Sequence, residues 1–113
     1  MSAQRTRYTT DHAAEQFRIR ATAGAAIKPA WERGLRVDIP SEAPVPRHDE
    51  ARYDARSDLV VFRRERTLTT CYGLNAEHLT NIHGVAVAAV VDAQFGTSYC
   101  SRINPENLEE TNR

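Results

Sequence analysis

Long apolar runs are missing from this chain of 113 residues. No stretch approaches the ~20 residues that a membrane-spanning helix needs, which excludes a helical membrane span. The N-terminal Met1-Ser2-Ala3-Gln4-Arg5-Thr6-Arg7 does not lead into the apolar core of a signal peptide either. The expectation is a soluble, cytoplasmic protein. Cysteine is scarce: Cys71 and Cys100 are the whole complement, too few for a disulfide framework and not arranged as CxxC. In a reducing compartment they are free thiols. The four histidines are His12, His48, His78 and His83. The last two are five residues apart, off the three-or-four spacing that sets two ligands on one helical face. No metal and no cofactor is assigned. Net charge is absent as well, at +0, so overall charge makes no case for nucleic acid.

What is present belongs to a folded chain. A hydrophobic content of 41% beside 27% charged residues lies near the globular average and outside the disordered range. The length suits one modest core, and residues 1–103 are expected to form a single α+β domain, with 104–113 a polar tail that frays. Charge is unevenly spread. Residues 1–70 hold 13 Lys and Arg against 10 Asp and Glu, while residues 71–113 hold 2 against 5. Fourteen of the fifteen basic residues are arginine, Lys28 being the exception. The guanidinium fork suits phosphate, but a GC-rich genome yields the same bias, so arginine number alone is not a binding signal.

The chain organises around Arg52 to Leu74. Two runs rich in β-branched and aromatic residues, Leu59 to Arg63 and Thr67 to Tyr72, flank the charged tip Arg64-Glu65-Arg66, the pattern of an antiparallel hairpin. Ala51 to Asp54 leads in, across a turn that Ser57 and Asp58 can close on their own backbone. Strand alternation sets Leu68, Thr70 and Tyr72 on one face and Thr67, Thr69 and Cys71 on the other. Ahead of this meander, Arg7 to Thr10 is extended. A helix then starts at a Thr10 or Asp11 cap, with Ala13, Ala14, Phe17 and Ala21 as its apolar stripe. Ala23-Gly24-Ala25 ends it. A second helix spans Ala26 to Arg33, with Pro29 in its first turn and Ile27, Ala30 and Trp31 facing inward. Leu35 to Ile39 alternates like a half-buried strand, and Pro40, Pro44 and Pro46 make the segment to Glu50 a loop. Beyond the meander Asn75 caps a short turn and Gly84 interrupts. Val85 to Phe95 follows, with a stripe at Val87, Ala88, Val91 and Phe95: a helix, or, being so rich in valine, a buried strand.

Few residues could carry chemistry. A histidine at a helix N-terminus, His12, can move a proton near neutral pH, though a lone histidine there is more often a surface or capping residue. Arg18, Arg20, Arg52 and Arg63 could neutralise a phosphate and the charge of a phosphorane-like transition state, or simply be a solvated face. Thr70 and Tyr72 could hydrogen-bond a phosphate or stack on a base; they are also good strand formers.

The run Tyr8-Thr9-Thr10-Asp11-His12-Ala13-Ala14-Glu15-Gln16-Phe17-Arg18-Ile19-Arg20, followed by Ala30-Trp31-Glu32-Arg33-Gly34 and by Thr69-Thr70-Cys71-Tyr72, resembles small toxin-type proteins of the RelE and barnase–colicin-like ribonuclease group. The resemblance covers residues 7–74. It implies two N-terminal helices packed on a twisted antiparallel sheet, and, in active members, RNA cleavage without metal. Carried over, His12 matches the helix-opening histidine, Arg18 or Arg20 the helix arginine, Arg52 the basic residue entering the meander, and Thr70 with Tyr72 the last-strand pair. The Pro-rich loop and everything from Asn75 onward depart from that pattern.

Two functions follow. The first is a metal-independent endoribonuclease of toxin type, with His12, Arg52, Thr70 and Tyr72 catalytic and Arg18, Arg20 and Arg63 on phosphate. Its partners are RNA and a cognate antitoxin or other protein. The second is a non-catalytic assembly subunit that uses its apolar C-terminal helix, through Val87, Val91 and Phe95, to bind a partner or another copy of the chain. On either reading both thiols stay reduced. Thiol titration of the denatured protein without reductant is expected to find two free groups; finding none would reverse the assignment of compartment.

Overall fold

The computed structural model describes residues 8–20 and 27–103, without the side chains of Tyr8, Ile19 and Arg20. The elements run β1 (Tyr8–Thr9), α1 (Asp11–Arg20), α2 (Ile27–Arg33), β2 (Leu35–Val37), β3 (Glu50–Asp54), β4 (Leu59–Arg64), β5 (Thr67–Gly73) and α3 (Ile82–Phe95), with short 3-10 turns at Ala76–His78 and Cys100–Arg102. The class is α+β, as expected. The sheet order is β1-β5-β4-β3-β2. β2 to β5 form an antiparallel meander, and β1 adds to the far side of β5 in parallel.

The apolar run of β4 explains the layering. Leu59, Val60, Val61 and Phe62 are all fully buried, which a strand achieves only when both of its faces are covered. On one face Leu59 and Val61 join Leu68, Cys71, Ala13, Phe17, Ile27, Ala30 and Trp31, under α1 and α2. On the other Val60 and Phe62 join Ala51, Tyr53, Val87, Ala88 and Val91, under α3. Phe17, Trp31, Val60, Phe62 and Leu68, the anchors that the periodicity indicates, are all buried. Neither Cys71 nor Cys100 is in a disulfide, and they belong to the cores on opposite faces of the sheet.

Several readings from the pattern need correction. α3 begins at Ile82, so Gly84 lies within it and does not interrupt it. The Asn81 side chain caps the helix by accepting from Gly84 N at 3.1 Å, and a Cβ on Gly84 would meet Leu79 Cδ2 at 3.4 Å, so that the helix sits tightly on the preceding turn. The surface expected of Val87, Val91 and Phe95 is not free. Val87 and Val91 are fully buried against the sheet, and the Phe95 ring packs 5.1 Å from that of Tyr53. Apolar periodicity marks a face to be covered, and here the chain covers it itself. The turn after β3 is closed by Asp54, whose carboxylate takes the Ser57 hydroxyl at 2.7 Å and the Arg56 N–H at 3.3 Å; Asp58 adopts φ 55.

Alternation in β5 also fails. Phe62 pairs with Thr70, but Arg63 pairs with Leu68, so the register slips by one residue and Thr69 is left without a partner on β4. This bulge turns Leu68 toward α1 with Cys71, and leaves Thr70 and Tyr72 on the opposite face. The helix terminator at Ala23-Gly24-Ala25 and the polar tail 104–113 lie outside the described residues.

Phe17 is the largest side chain that α1 gives to the core, at 3% exposure. Phe17→Ala is expected to cost about 3–5 kcal/mol, read as a lowered midpoint in chemical denaturation.

Candidate functional site

The bulge has a second effect, at the start of α1. Thr10 N bonds Leu68 O at 3.1 Å, and the Thr10 hydroxyl donates to Thr69 O at 3.2 Å while accepting from Ala13 N at 3.0 Å. Thr10 is therefore the N-cap, and it pins the helix start to the irregular part of β5. His12, in the first turn, then reaches the edge of the sheet. Its Nε2 lies 3.2 Å from Thr70 Oγ1. Tyr72, two residues along, is held edge-on to Phe62 with ring centroids 5.5 Å apart.

These three side chains line one cleft of about 410 Å³, whose wall is completed by Thr69, Arg64, Pro46 and Arg47. Arg64 is the last residue of β4, and Arg47 comes from the Pro-rich loop. Among the described residues the lining contains no carboxylate. Among the described residues neither Arg47 nor Arg64 is tied into an ion pair. A histidine, two hydroxyl-bearing threonines, a phenol and two uncommitted guanidiniums make a cationic, donor-rich hollow. Its chemistry fits a bound phosphate and proton transfer beside it.

Arg52, Arg63 and Arg18, also singled out from the sequence, are elsewhere. Arg52 pairs across from Val61, on the face that α1 and α2 cover. There its guanidinium lies 4.2 Å over the Trp31 ring, donates to Trp31 O at 3.0 Å and bonds Glu50 at 2.8 Å. Arg63 shares the same carboxylate at 3.0 Å. Neither residue reaches the cleft. Arg18 is exposed and ion-paired to Glu15 at 2.6 Å; the Arg20 side chain lies outside the described residues. The structure thus brings His12, Thr70 and Tyr72 together and sets Arg52, Arg63 and Arg18 apart.

Sequence reasoning missed Arg47 and Arg64. A signal for Arg64 was present: counting by twos from Val60 and Phe62 puts it on the Tyr72 face and puts Arg63 on the Trp31 face. Nothing comparable marks Arg47, which only the course of the loop brings to the cleft.

Residues 9–75, more than half of the chain, match the family model Halo_toxin, described as "Putative RelE superfamily toxin domain". The chain belongs to this family of toxin domains. Every described residue of the cleft falls within the matched segment, whereas α3 lies beyond it. No curated protein and no solved structure matches the chain.

Glu50 shows what the second arginine cluster does. Burial pushes its carboxyl up, but the hydrogen bonds and charges of Arg52 and Arg63 outweigh burial and hold it below the ordinary value. A carboxyl lowered on folding stabilises the protein above its unfolded-state pKa, and that contribution is lost as pH falls through the native value. Glu50→Gln leaves two half-buried guanidiniums short of a counter-charge, and is expected to cost about 1–3 kcal/mol at neutral pH. In strong acid the difference from the parent should vanish. Urea midpoints at the two pH values check both statements.

Proposed function

We propose that this toxin domain is a metal-independent endoribonuclease acting at the His12 cleft. The observation that carries the reading is the meeting of His12, Thr70 and Tyr72 with two guanidiniums that no carboxylate among the described residues neutralises, in a hollow of about 410 Å³. A purely structural arginine would sit like Arg52, stacked and paired. Arg47 and Arg64 instead leave their donors to a ligand.

On this reading a phosphodiester lies between Arg47 and Arg64. His12 takes the proton of the ribose 2′-hydroxyl as that oxygen bonds to phosphorus. The P–O5′ bond breaks with its electron pair going to the 5′-oxygen, which takes a proton from water while the imidazolium returns its own to solvent, leaving a 2′,3′-cyclic phosphate on the other fragment. The guanidiniums stabilise the charge that builds on the non-bridging oxygens. The Thr70 hydroxyl steadies the imidazole, and Tyr72 offers its ring to a base and its hydroxyl to the phosphate. Among the described residues His12 is the single side chain of metal-ligating type in the lining. One imidazole is too little to hold a divalent ion, so the proposed chemistry rests on proton transfer and fixed charge. An RNA substrate goes with an intracellular site of action, and a toxin domain calls for an antitoxin partner.

Incubation of the purified protein with single-stranded RNA in the presence of EDTA is the test. Wild type is expected to cleave. His12→Ala and Arg64→Ala should each lower cleavage by roughly a hundredfold or more, and Tyr72→Phe, which keeps the ring, by less. An inactive wild type, or a His12→Ala variant as active as the parent, would remove catalysis from this cleft.

A further inference from the structure

Prolines at positions 40, 44 and 46 have no N–H to donate, so whatever bonds the backbone of the loop between β2 and β3 at those residues must act on their carbonyls. Two histidines do so. His83, in the first turn of α3, bonds through Nδ1 to Pro44 O, and His48 bonds through Nδ1 to Pro46 O at 2.8 Å. A carbonyl only accepts, so each ring carries a proton on Nδ1. The His48 ring is also set edge-on to Phe62, with centroids 4.7 Å apart. At the loop's end the Asp49 carboxylate accepts from Glu65 N at 2.5 Å, and Asp49 N donates to Arg63 O at 2.8 Å. Glu65 stands at φ 55, a left-handed turn that this bond to Asp49 helps to hold. Arg47 sits between these attachments, and Arg64 immediately precedes the residue that Asp49 fixes.

We propose that His83 is a positioning residue for the cleft: by holding the Pro44 carbonyl it fixes the loop, together with His48 and Asp49, so that Arg47 stays in the wall opposite Thr70 and Tyr72. The inference rests on the reading of the cleft as an RNA site. It goes beyond that reading by giving α3, which contributes no residue to the cleft and lies outside the family match, a part in substrate binding. The physical reason is entropic. An arginine on a loose loop must be ordered by the phosphate that it binds, and that cost is removed when the loop is already held.

Trypsin reads the clamp without any RNA, because Arg47–His48 is a cleavable bond in the native loop. His83→Ala is expected to speed nicking there roughly fivefold, the effect of losing one hydrogen bond that closes the loop. His83→Asn, which keeps an N–H donor near the Nδ1 position, should restore the slow rate. Nicking after the exposed Arg36 should stay at the parent rate, which separates local release from unfolding. The second arm measures the affinity of a labelled single-stranded oligoribonucleotide in a His12→Ala background that does not cleave it. Arg47→Ala should weaken binding roughly tenfold. His83→Ala should weaken it by less and add nothing once Arg47 is gone, since residues that act through one another are not additive. Unchanged nicking in His83→Ala overturns the clamp. Faster nicking with unaltered RNA affinity overturns the positioning role. If the parent binds no RNA, the RNA reading fails and the proposal fails with it, whatever trypsin shows.

Discussion

Thr10 joins two parts of the molecule that would otherwise be independent. Its backbone N–H and its hydroxyl both bond carbonyls of β5, at Leu68 and Thr69, while the same hydroxyl caps α1. The helix cannot shift along the sheet without losing both bonds to β5. The Thr69 bulge makes this arrangement possible. By adding one residue to β5 it turns Thr70 to the face opposite Leu68 and brings the sheet edge within reach of the first turn of α1. Phe17, about two turns beyond Thr10, enters the core because the start of the helix is fixed, and His12 meets Thr70 for the same reason.

Arginine is the dominant cation of this chain, and the fold divides its arginines by face. Under α1 and α2, Arg52 and Arg63 are half-buried and share Glu50 above Trp31. Arg33 is bound in the same manner to buried Asp54, at 2.6 Å. Burial pushes the Asp54 carboxyl up, and the bonds from Arg33 and Ser57 more than reverse it. These guanidiniums are spent on holding β3 and β4 to α2. Arg47 and Arg64 lie on segments at the margin of the opposite face, and among the described residues no carboxylate lines the cleft between them. A charge left unpaired beside a hollow is available to a ligand in a way that a stacked and bonded one is not.

The third layer closes the side of the sheet that the family match does not account for. α3 covers Tyr53, Val60 and Phe62 with Val87, Ala88 and Val91. The chain after it is tied back by Asp92, which accepts from Thr97, Tyr99 N and Cys100 N. Tyr99 then reaches into the core, where its hydroxyl meets those of Tyr53 at 2.8 Å and the Asp58 carboxylate at 2.6 Å. Burial and these two partners push the Tyr99 phenol far up, so it serves as a permanent donor to Asp58. The segment read as a free apolar tail is thus bound through both packing and hydrogen bonds.

How much of this was legible beforehand depended on the range of the interaction involved. The α+β class, the core anchors Phe17, Trp31, Val60, Phe62 and Leu68, the hairpin around Glu65 and the helix opening at Thr10 all follow from local periodicity and capping chemistry, which neighbouring residues determine. His12, Thr70 and Tyr72 could be singled out as unusual residue types at the ends of such elements. The bulge at Thr69 could not, because a slip in register is a property of two strands and has no mark on either alone. That slip decided which residues of β5 share a face, and so which arginines share the cleft. Arg47 became part of it only through the course of a loop held by His48, His83 and Asp49. Val87 and Val91 became core because a sheet face lay waiting for them. By itself the sequence determined which elements form and what each has to offer; their meeting was decided by tertiary packing, since contacts between residues distant along the chain depend on how whole elements are placed.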